Sequence, residues 1–379
     1  MSRTVALGAP TVGQEELDAI KEVFESGWLS GAGPSCVAFE KEFAAVAGVD
    51  NVLSTSNCGS ALHLGQLALG VQPGDEVIVS DYTFPATGHS VLWSGAIPVF
   101  VDVRPDTWSI DATQIEAGIT PRTVGIIAVD PFGQPADYDE ITAIARKHGL
   151  WVIEDAACAT GATYKGRKVG ELADVTAYSF HGRKGITSGE GGALASPRSE
   201  LVAHARKLHT YGIAPAITRE GATTLPVPSF DELGYNYRLS DVQAAIMRVQ
   251  VRRLPELLAS RQRAADGYRE LLGDLDAITL PTALDDRTHP WQSYVVTVAP
   301  ELDRGAVAVA LRGRGVGCNF GTYSSHLQPL YGEQKSLPVS ADIFERHIAI
   351  PMHANLTEDD VSYVAETVRS IVTDRAYRR

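Results

Sequence analysis

Residues 150–192 read LWVIEDAACATGATYKGRKVGELADVTAYSFHGRKGITSGEGG. A short apolar run, Leu150 to Ile153, ends at two carboxylates, Glu154 and Asp155. A second run, Val175 to Phe180, ends among Ser179, His181 and Lys184. Apolar runs of this length, bounded by polar residues, read as buried strands. Two of them separated by helical or loop sequence predict neighbours in a parallel sheet, where ligands bind beyond the carboxyl ends of the strands. The second run leads into Gly189-Glu190-Gly191-Gly192, a loop able to bend tightly or to let backbone approach a ligand.

A carboxylate and a lysine presented from adjacent strand ends suit Schiff-base catalysis on pyridoxal phosphate. The amine condenses with the cofactor aldehyde, and the acid keeps the pyridine nitrogen protonated so that the ring accepts electrons. Asp155 and Lys184 are the candidates. On those two residues alone, a helix-capping Asp and a solvated surface Lys are the commoner explanation.

The wider pattern shifts that balance. E-D-A-A, then S-F-H-x-x-K, then G-E-G-G, in this order and at this separation, closely resemble the DegT/DnrJ/EryC1/StrS family of sugar aminotransferases, pyridoxal-phosphate enzymes of fold type I. The resemblance implies that Lys184 is the Schiff-base lysine, Asp155 the pyridinium partner and Ser179 a hydroxyl donor to the cofactor phosphate. It also implies an α/β fold: a mostly parallel sheet of the seven-stranded type, flanked by helices, plus a smaller C-terminal α/β domain. Cys158 departs from the family, which most often carries Gln, sometimes His, at that position near the ring oxygen and the substrate. A thiol lacks the two-sided hydrogen bonding of an amide, and a packing role for Cys158 is the plainer reading.

Upstream, Gly13 to Ser26 reads as an amphipathic helix with Leu17, Ile20, Val23 and Phe24 on one face. The loop Gly27 to Gly31 carries Trp28 and Leu29, which the resemblance places at the mouth of the sugar site. A helix around Cys36 to Val46 follows. The strand Val52 to Ser56 leads through S-N-C-G-S-A-L-H into an apolar helix reaching Leu69. A strand, a small-residue turn and a helix N-terminus make an anion site, here the expected phosphate cradle at Gly59 and Ser60. The family's usual Gly-Thr is Cys58-Gly59 in this chain. Pro73 to Val79 is a turn and strand ending in S-D-Y-T-F-P-A-T, whose Phe84 falls at the family position for the aromatic stacked on the cofactor ring. Pro98 to Val103 and Val124 to Val129 continue the strand pattern, with Asp111 to Ile119 and Asp137 to His148 as crossover helices. The histidine usual just before G-Q-P-A-D is replaced in D-P-F-G.

Downstream, Arg206 to Phe230 reads as a mobile loop over the site. G-Y-N-Y-R-L-S-D, Gly234 to Asp241, precedes a helix capped by Ser240. By the resemblance, Asn236 reaches the cofactor phosphate of the other subunit and Arg238 meets the donor's carboxylate, for which its planar fork is suited. Pro255 is expected to kink or break the helix from Ser240 to Leu272, and the domain boundary is placed there: 1–254 large cofactor-binding domain, 255–379 small domain. Trp291 to Val298 and Val316 to Phe320 read as strands, Gly305 to Arg312 and Thr357 to Thr373 as helices. G-T-Y-S-S-H-L-Q-P, Gly321 to Pro329, resembles the family's H-x-Q-P segment, which puts His326, and also Tyr323, near the sugar.

The 379 residues allow two domains, and 44% hydrophobic with 21% charged residues is ordinary globular composition. A net charge of -13 argues against nucleic acid as a partner. Four scattered cysteines without CxxC pairing predict a reducing compartment and no zinc site. The N-terminus lacks a signal-peptide core and no apolar run reaches membrane-spanning length, so a cytoplasmic, membrane-free chain is expected. The resemblance implies an aminotransferase that passes an amine from glutamate or glutamine, through pyridoxamine phosphate, to a keto sugar. It further implies a homodimer with shared active sites. The alternatives are a cyclitol ketone as acceptor, a sugar dehydratase (relatives that carry histidine at the Lys184 position) and a non-catalytic cofactor-binding regulator.

Overall fold

The two runs that end at Asp155 and Ser179 lie side by side and parallel, with Ile153 opposite Val175 and Asp155 opposite Ala177. This computed structural model describes residues 3–213 and 227–379. Its main sheet contains β1 Asn51–Thr55, β2 Glu76–Ser80, β3 Ile97–Val101, β4 Thr123–Val129, β5 Trp151–Asp155, β6 Val175–Ser179 and β7 Gly192–Ser196. Their spatial order is β1-β7-β6-β5-β4-β2-β3. Only β7 runs against its neighbours. The carboxyl ends of the other six therefore share one rim, which Gly192 at the start of β7 also reaches.

Side chains alternate across the pleat, and successive residues enter different cores. Val52, Ile126, Val152 and Tyr178 join one core; Leu53, Ile127, Ile153 and Ala177 join another. Helices α1 Gln14–Ser26, α2 Pro34–Ala47, α3 Cys58–Ala68, α4 Ala86–Trp93, α5 Ala112–Ile115, α6 Tyr138–His148 and α7 Ser199–Leu208 accompany this sheet. Phe39 and Phe43 of α2 and Ile141 of α6 fill the first core, while Leu62 of α3, Val91 of α4 and Leu201 of α7 fill the second. Asp155 follows the Ile153 side, toward α3 and α4; Glu154 faces the other way.

Helix α8, Asp241–Leu272, spans two cores. Met247 and Leu257 lie in the first large core, whereas Ala264 and Tyr268 belong to a separate cluster. That cluster packs on an antiparallel sheet of β8 Ile278–Thr279, β9 Tyr294–Val298 and β10 His347–Ile350. Helices α9 Arg304–Gly313, α10 Pro338–Arg346 and α11 Glu358–Val372 complete the C-terminal part.

Four expectations change. The helix does not break at Pro255 but continues to Leu272, because apolar packing on both sides outweighs the one lost hydrogen bond. Val316 to Phe320 forms no strand, only single bridges from Val316 to Val5 and from Asn319 to Ala349. On α1 only Val23 of the expected face is buried; Leu17 and Phe24 are 59% and 61% exposed. The expected loop from Arg206 begins as the last turn of α7, and 214–226 lie outside the described residues.

Behind the rim, Glu154 and Asp130 are fully buried acids. Glu154 accepts hydrogen bonds from Thr176 Oγ1 at 2.7 Å and Gly170 N at 3.1 Å, and Asp130 from Ala136 N and Tyr138 OH, both at 2.9 Å. Each leaves one oxygen without a donor, Glu154 Oε1 and Asp130 Oδ2. Burial, then the neighbouring Glu154, drives the Asp130 carboxyl well above its usual range, and burial also raises Glu154. One proton held between them would satisfy both. The folded protein thus binds a proton more tightly than the unfolded chain, and stability falls as pH rises from the ordinary carboxylate range through about 7, where Glu154 titrates. An Asp130→Asn variant, whose amide donates without a titrating proton, should flatten that part of the melting-temperature profile. An unchanged slope would refute the shared proton.

Candidate active site

Asp155 closes β5 with 4% exposure. Its Oδ2 accepts from Thr87 Oγ1 at 2.7 Å and its Oδ1 from Ala157 N at 3.2 Å, with Cys58 Sγ at 3.9 Å. Thr83 Oγ1 lies 2.7 Å from Thr87 Oγ1 and extends the chain of hydroxyls. Burial raises the Asp155 carboxyl, opposed by Thr87, Ala157 and the Lys184 ammonium. Lys184 follows β6 in a turn closed by its own N–H to His181 O at 2.8 Å. Its Nζ lies 3.2 Å from Cys158 Sγ. Burial pulls the amine down, but Cys158, Cys58 and Asp155 outweigh it and leave Lys184 above its ordinary value. Among the described residues no direct ion pair joins Lys184 to Asp155, although each charge stabilises the other.

The second feature is the start of α3. Asn57 Oδ1 caps the helix by accepting from Ser60 N at 2.8 Å, and Ser56 Oγ lies 3.0 Å from Ser60 Oγ. The N–H groups of Cys58 and Gly59 have no acceptor among the described residues, which leaves the positive end of the helix open to an anion. A Cβ on Gly192 would stand 2.5 Å from Asn57 C, so glycine lets β7 pass directly beneath this turn. Ser179, 6% exposed, ends β6 on the same rim and its Oγ accepts from His181 N at 3.4 Å.

Phe84 follows β2 and is 61% exposed. Its ring lies 6.2 Å from that of Tyr323, edge to face, because Tyr323–Ser324 pairs antiparallel with Tyr82–Thr83. His326 follows and is gripped by Asp81, with Nδ1 2.7 Å from Oδ2. The segment carrying Asn236 and Arg238 runs beside the end of β1, through Tyr237 O accepting from Ser56 N at 2.7 Å and a bridge from Arg238 to Thr55. Arg238 stands over the Tyr211 ring at 5.6 Å. Trp28 and Leu29 are half-exposed, and Leu29 O accepts from Asp241 N at 3.2 Å, tying their loop to the start of α8.

The rim therefore gathers Asp155, Lys184, Cys158 and the α3 turn, with Phe84, Tyr323 and His326 along one side. Trp28, Leu29, Asn236 and Arg238 form a separate group near the end of β1, and none of them hydrogen-bonds to Asp155 or Lys184. Thr87 and Asp81 were missed in the sequence. Thr87 stands one helical turn after Phe84, a spacing that could have revealed it; nothing local signals that Asp81 meets His326. Among the described residues no cluster holds metal-ligating geometry, and no helix is long and apolar enough to cross a membrane.

The model of the DegT/DnrJ/EryC1/StrS aminotransferase family matches residues 10–369. GDP-perosamine synthase of Caulobacter vibrioides is 36% identical over 373 residues, covering 97% of this chain and 98% of that one. The aminotransferase TlmJ from Streptoalloteichus hindustanus superposes with a TM-score of 0.91 at 35% identity, over 97% and 98% of the two chains. DesI in the presence of its TDP-sugar product gives 0.90 at 29% identity, over 100% and 95%.

Pyridoxal phosphate, the cofactor of this family, fits the residues present. A buried acid with no salt-bridge partner among the described residues suits a cationic ring nitrogen, an amine after the neighbouring strand suits an aldehyde, and open N–H groups at a helix start suit a phosphate. Because Cys158 is the largest contributor raising the Lys184 amine, Cys158→Ala should lower its pKa and raise the unprotonated fraction at neutral pH. The midpoint of Lys184 labelling by an amine-reactive reagent against pH, in cofactor-free protein, measures this. An unmoved or raised midpoint would contradict the assignment.

Proposed function

The chain belongs to the DegT/DnrJ/EryC1/StrS aminotransferase family and is a pyridoxal-phosphate-dependent aminotransferase, and on that premise we propose that it passes an amine from glutamate or glutamine to a nucleotide-linked keto sugar. The observation that carries the catalytic part is the placement of Asp155, buried, and Lys184, half-buried, at the ends of adjacent strands with no salt bridge between them among the described residues. The names of the relatives, a GDP-perosamine synthase and a DesI structure with a TDP-sugar product, support a nucleotide sugar as acceptor.

When bound, the cofactor supplies an aldehyde that exchanges for an amine and a ring that takes up electrons as a C–H bond breaks. Asp155 holds the ring nitrogen protonated and is itself oriented by Thr87 and Ala157. Lys184 Nζ would carry the proton that moves during amine exchange, a task for which its reach from the β6 end suits it. Gly59, Ser60 and Ser179 would hold the phosphate, and Phe84 would stack beside the ring. Cys158, 3.2 Å from Nζ, would stand near the ring oxygen. Trp28, Leu29, Tyr323 and His326 contact the sugar.

Two chains complete each site in this reading. The partner subunit's Asn236 reaches the phosphate, and the partner subunit's Arg238 binds the donor's carboxylate. The exposed Leu17 and Phe24 of α1 are apolar surface that a second copy would cover. The chain divides at residues 254 and 255 into a cofactor-binding and a small domain, with α8 as the shared strut.

Lys184→Ala should slow amine transfer by about 10²- to 10⁴-fold, the usual worth of a positioned proton carrier. Amine-loaded protein offered GDP- and TDP-linked keto sugars and cyclitol ketones should regain its aldehyde-form spectrum with a nucleotide sugar. A return of that spectrum with cyclitol ketones alone would overturn the acceptor assignment.

A further inference from the structure

Asp81, at the end of β2, is fully buried. Its Oδ1 accepts from His326 N at 2.7 Å. Its Oδ2 accepts from His326 Nδ1 at 2.7 Å, from Ser324 Oγ at 2.8 Å and from Ser340 Oγ. Ser324 Oγ also lies 3.0 Å from His326 Nδ1. Main-chain Ser325 N to Asp81 O at 2.9 Å fastens the same segment. An ionised carboxylate only accepts, so Nδ1 carries the proton and Nε2 is left on the far side of the ring.

That free nitrogen sets His326 apart from three other enclosed histidines. His63, His347 and His353 each leave a ring nitrogen buried and unpartnered, whereas His326 Nε2 has no partner among the described residues and is not among the buried unpartnered atoms. It is still reached by solvent, on a side chain only 6% exposed. The segment also lies on the correct rim. Tyr323–Ser324 pairs with Tyr82–Thr83, Phe84 meets Tyr323, and Thr83 connects through Thr87 to Asp155.

We propose that Asp81 is a positioning residue that fixes His326 as the Nδ1–H tautomer, so that Nε2 carries protons at the ketone oxygen of the acceptor sugar. In that step a C–N bond forms as the C–O bond breaks. Both hydrogens of the incoming amine end on the departing oxygen, which leaves as water. His326 Nε2 takes each proton from nitrogen, returns it to oxygen, and finishes unchanged. Asp81 stabilises the imidazolium that exists between the two transfers. The inference rests on the keto-sugar reading above; the tautomer itself does not.

The test has two arms. Nitrogen-15 NMR of the holoenzyme, with His326 assigned by its loss in His326→Gln, should show Nδ1 protonated and Nε2 bare. An Nε2–H tautomer would overturn the dyad. In single-turnover kinetics, Asp81→Asn and His326→Gln should each slow the acceptor half-reaction by about 10²-fold, within the usual range for acid–base catalysis, and slow the donor half-reaction far less. Equal slowing of both halves, or none, would overturn the proton-carrying role. If Asp81→Asn fails to fold, His326→Gln carries the comparison, since it keeps the Ser324 and Ser340 bonds to Asp81. If the wild type accepts no keto sugar, the proton-carrying role falls with the acceptor reading and the NMR arm still decides the tautomer.

Discussion

A buried acid and a half-buried amine, held near one another but out of direct contact, are the constraint on which this structure depends. Left in contact, Asp155 and Lys184 would form an internal ion pair and close the rim. They are kept apart because each has another partner: Thr87 and the Ala157 N–H for the carboxylate, the Cys158 thiol for the amine. Desolvation without a paired counter-charge is costly, and a fold that maintains it needs rigid strands beneath. The in-register pairing of β5 and β6 within a seven-stranded sheet supplies them.

The same logic orders the surroundings. Asp155 points toward α3 and α4 because the pleat alternates, and this side carries the helix start with its open N–H groups. Glu154, one residue earlier, points to the other core, where Thr176 and the Gly170 N–H donate to it. Two adjacent carboxylates thus have opposite surroundings. Helix α8 braces the arrangement from further away: Asp241 at its start accepts from Ser35 N and Cys36 N of α2, while Arg261 near its end donates to Lys184 O at 3.2 Å.

Much of this was legible in the sequence where the signal is local. The strands around Asp155 and Ser179, the turn into α3 and the Ser240 cap are short patterns whose physics acts within a few residues. What escaped was set by distance along the chain. Asp81 meets His326 across 245 residues, and no local composition announces that contact. Helix α8 survives Pro255 because packing outweighs one missing hydrogen bond, a balance that propensity alone cannot weigh. Val316 to Phe320 has strand composition but finds only isolated bridges. The exposed face of α1 shows the reverse: the amphipathic pattern was real, yet Leu17 and Phe24 find no cover among the described residues.

The central claim is that Lys184 and Asp155 grip one heterocycle from opposite sides. Borohydride reduction of the cofactor-loaded protein, followed by peptide mass mapping, tests it most directly. A pyridoxyl-phosphate adduct on Lys184 alone is the predicted result. An adduct on another lysine, or none on Lys184, would contradict the account.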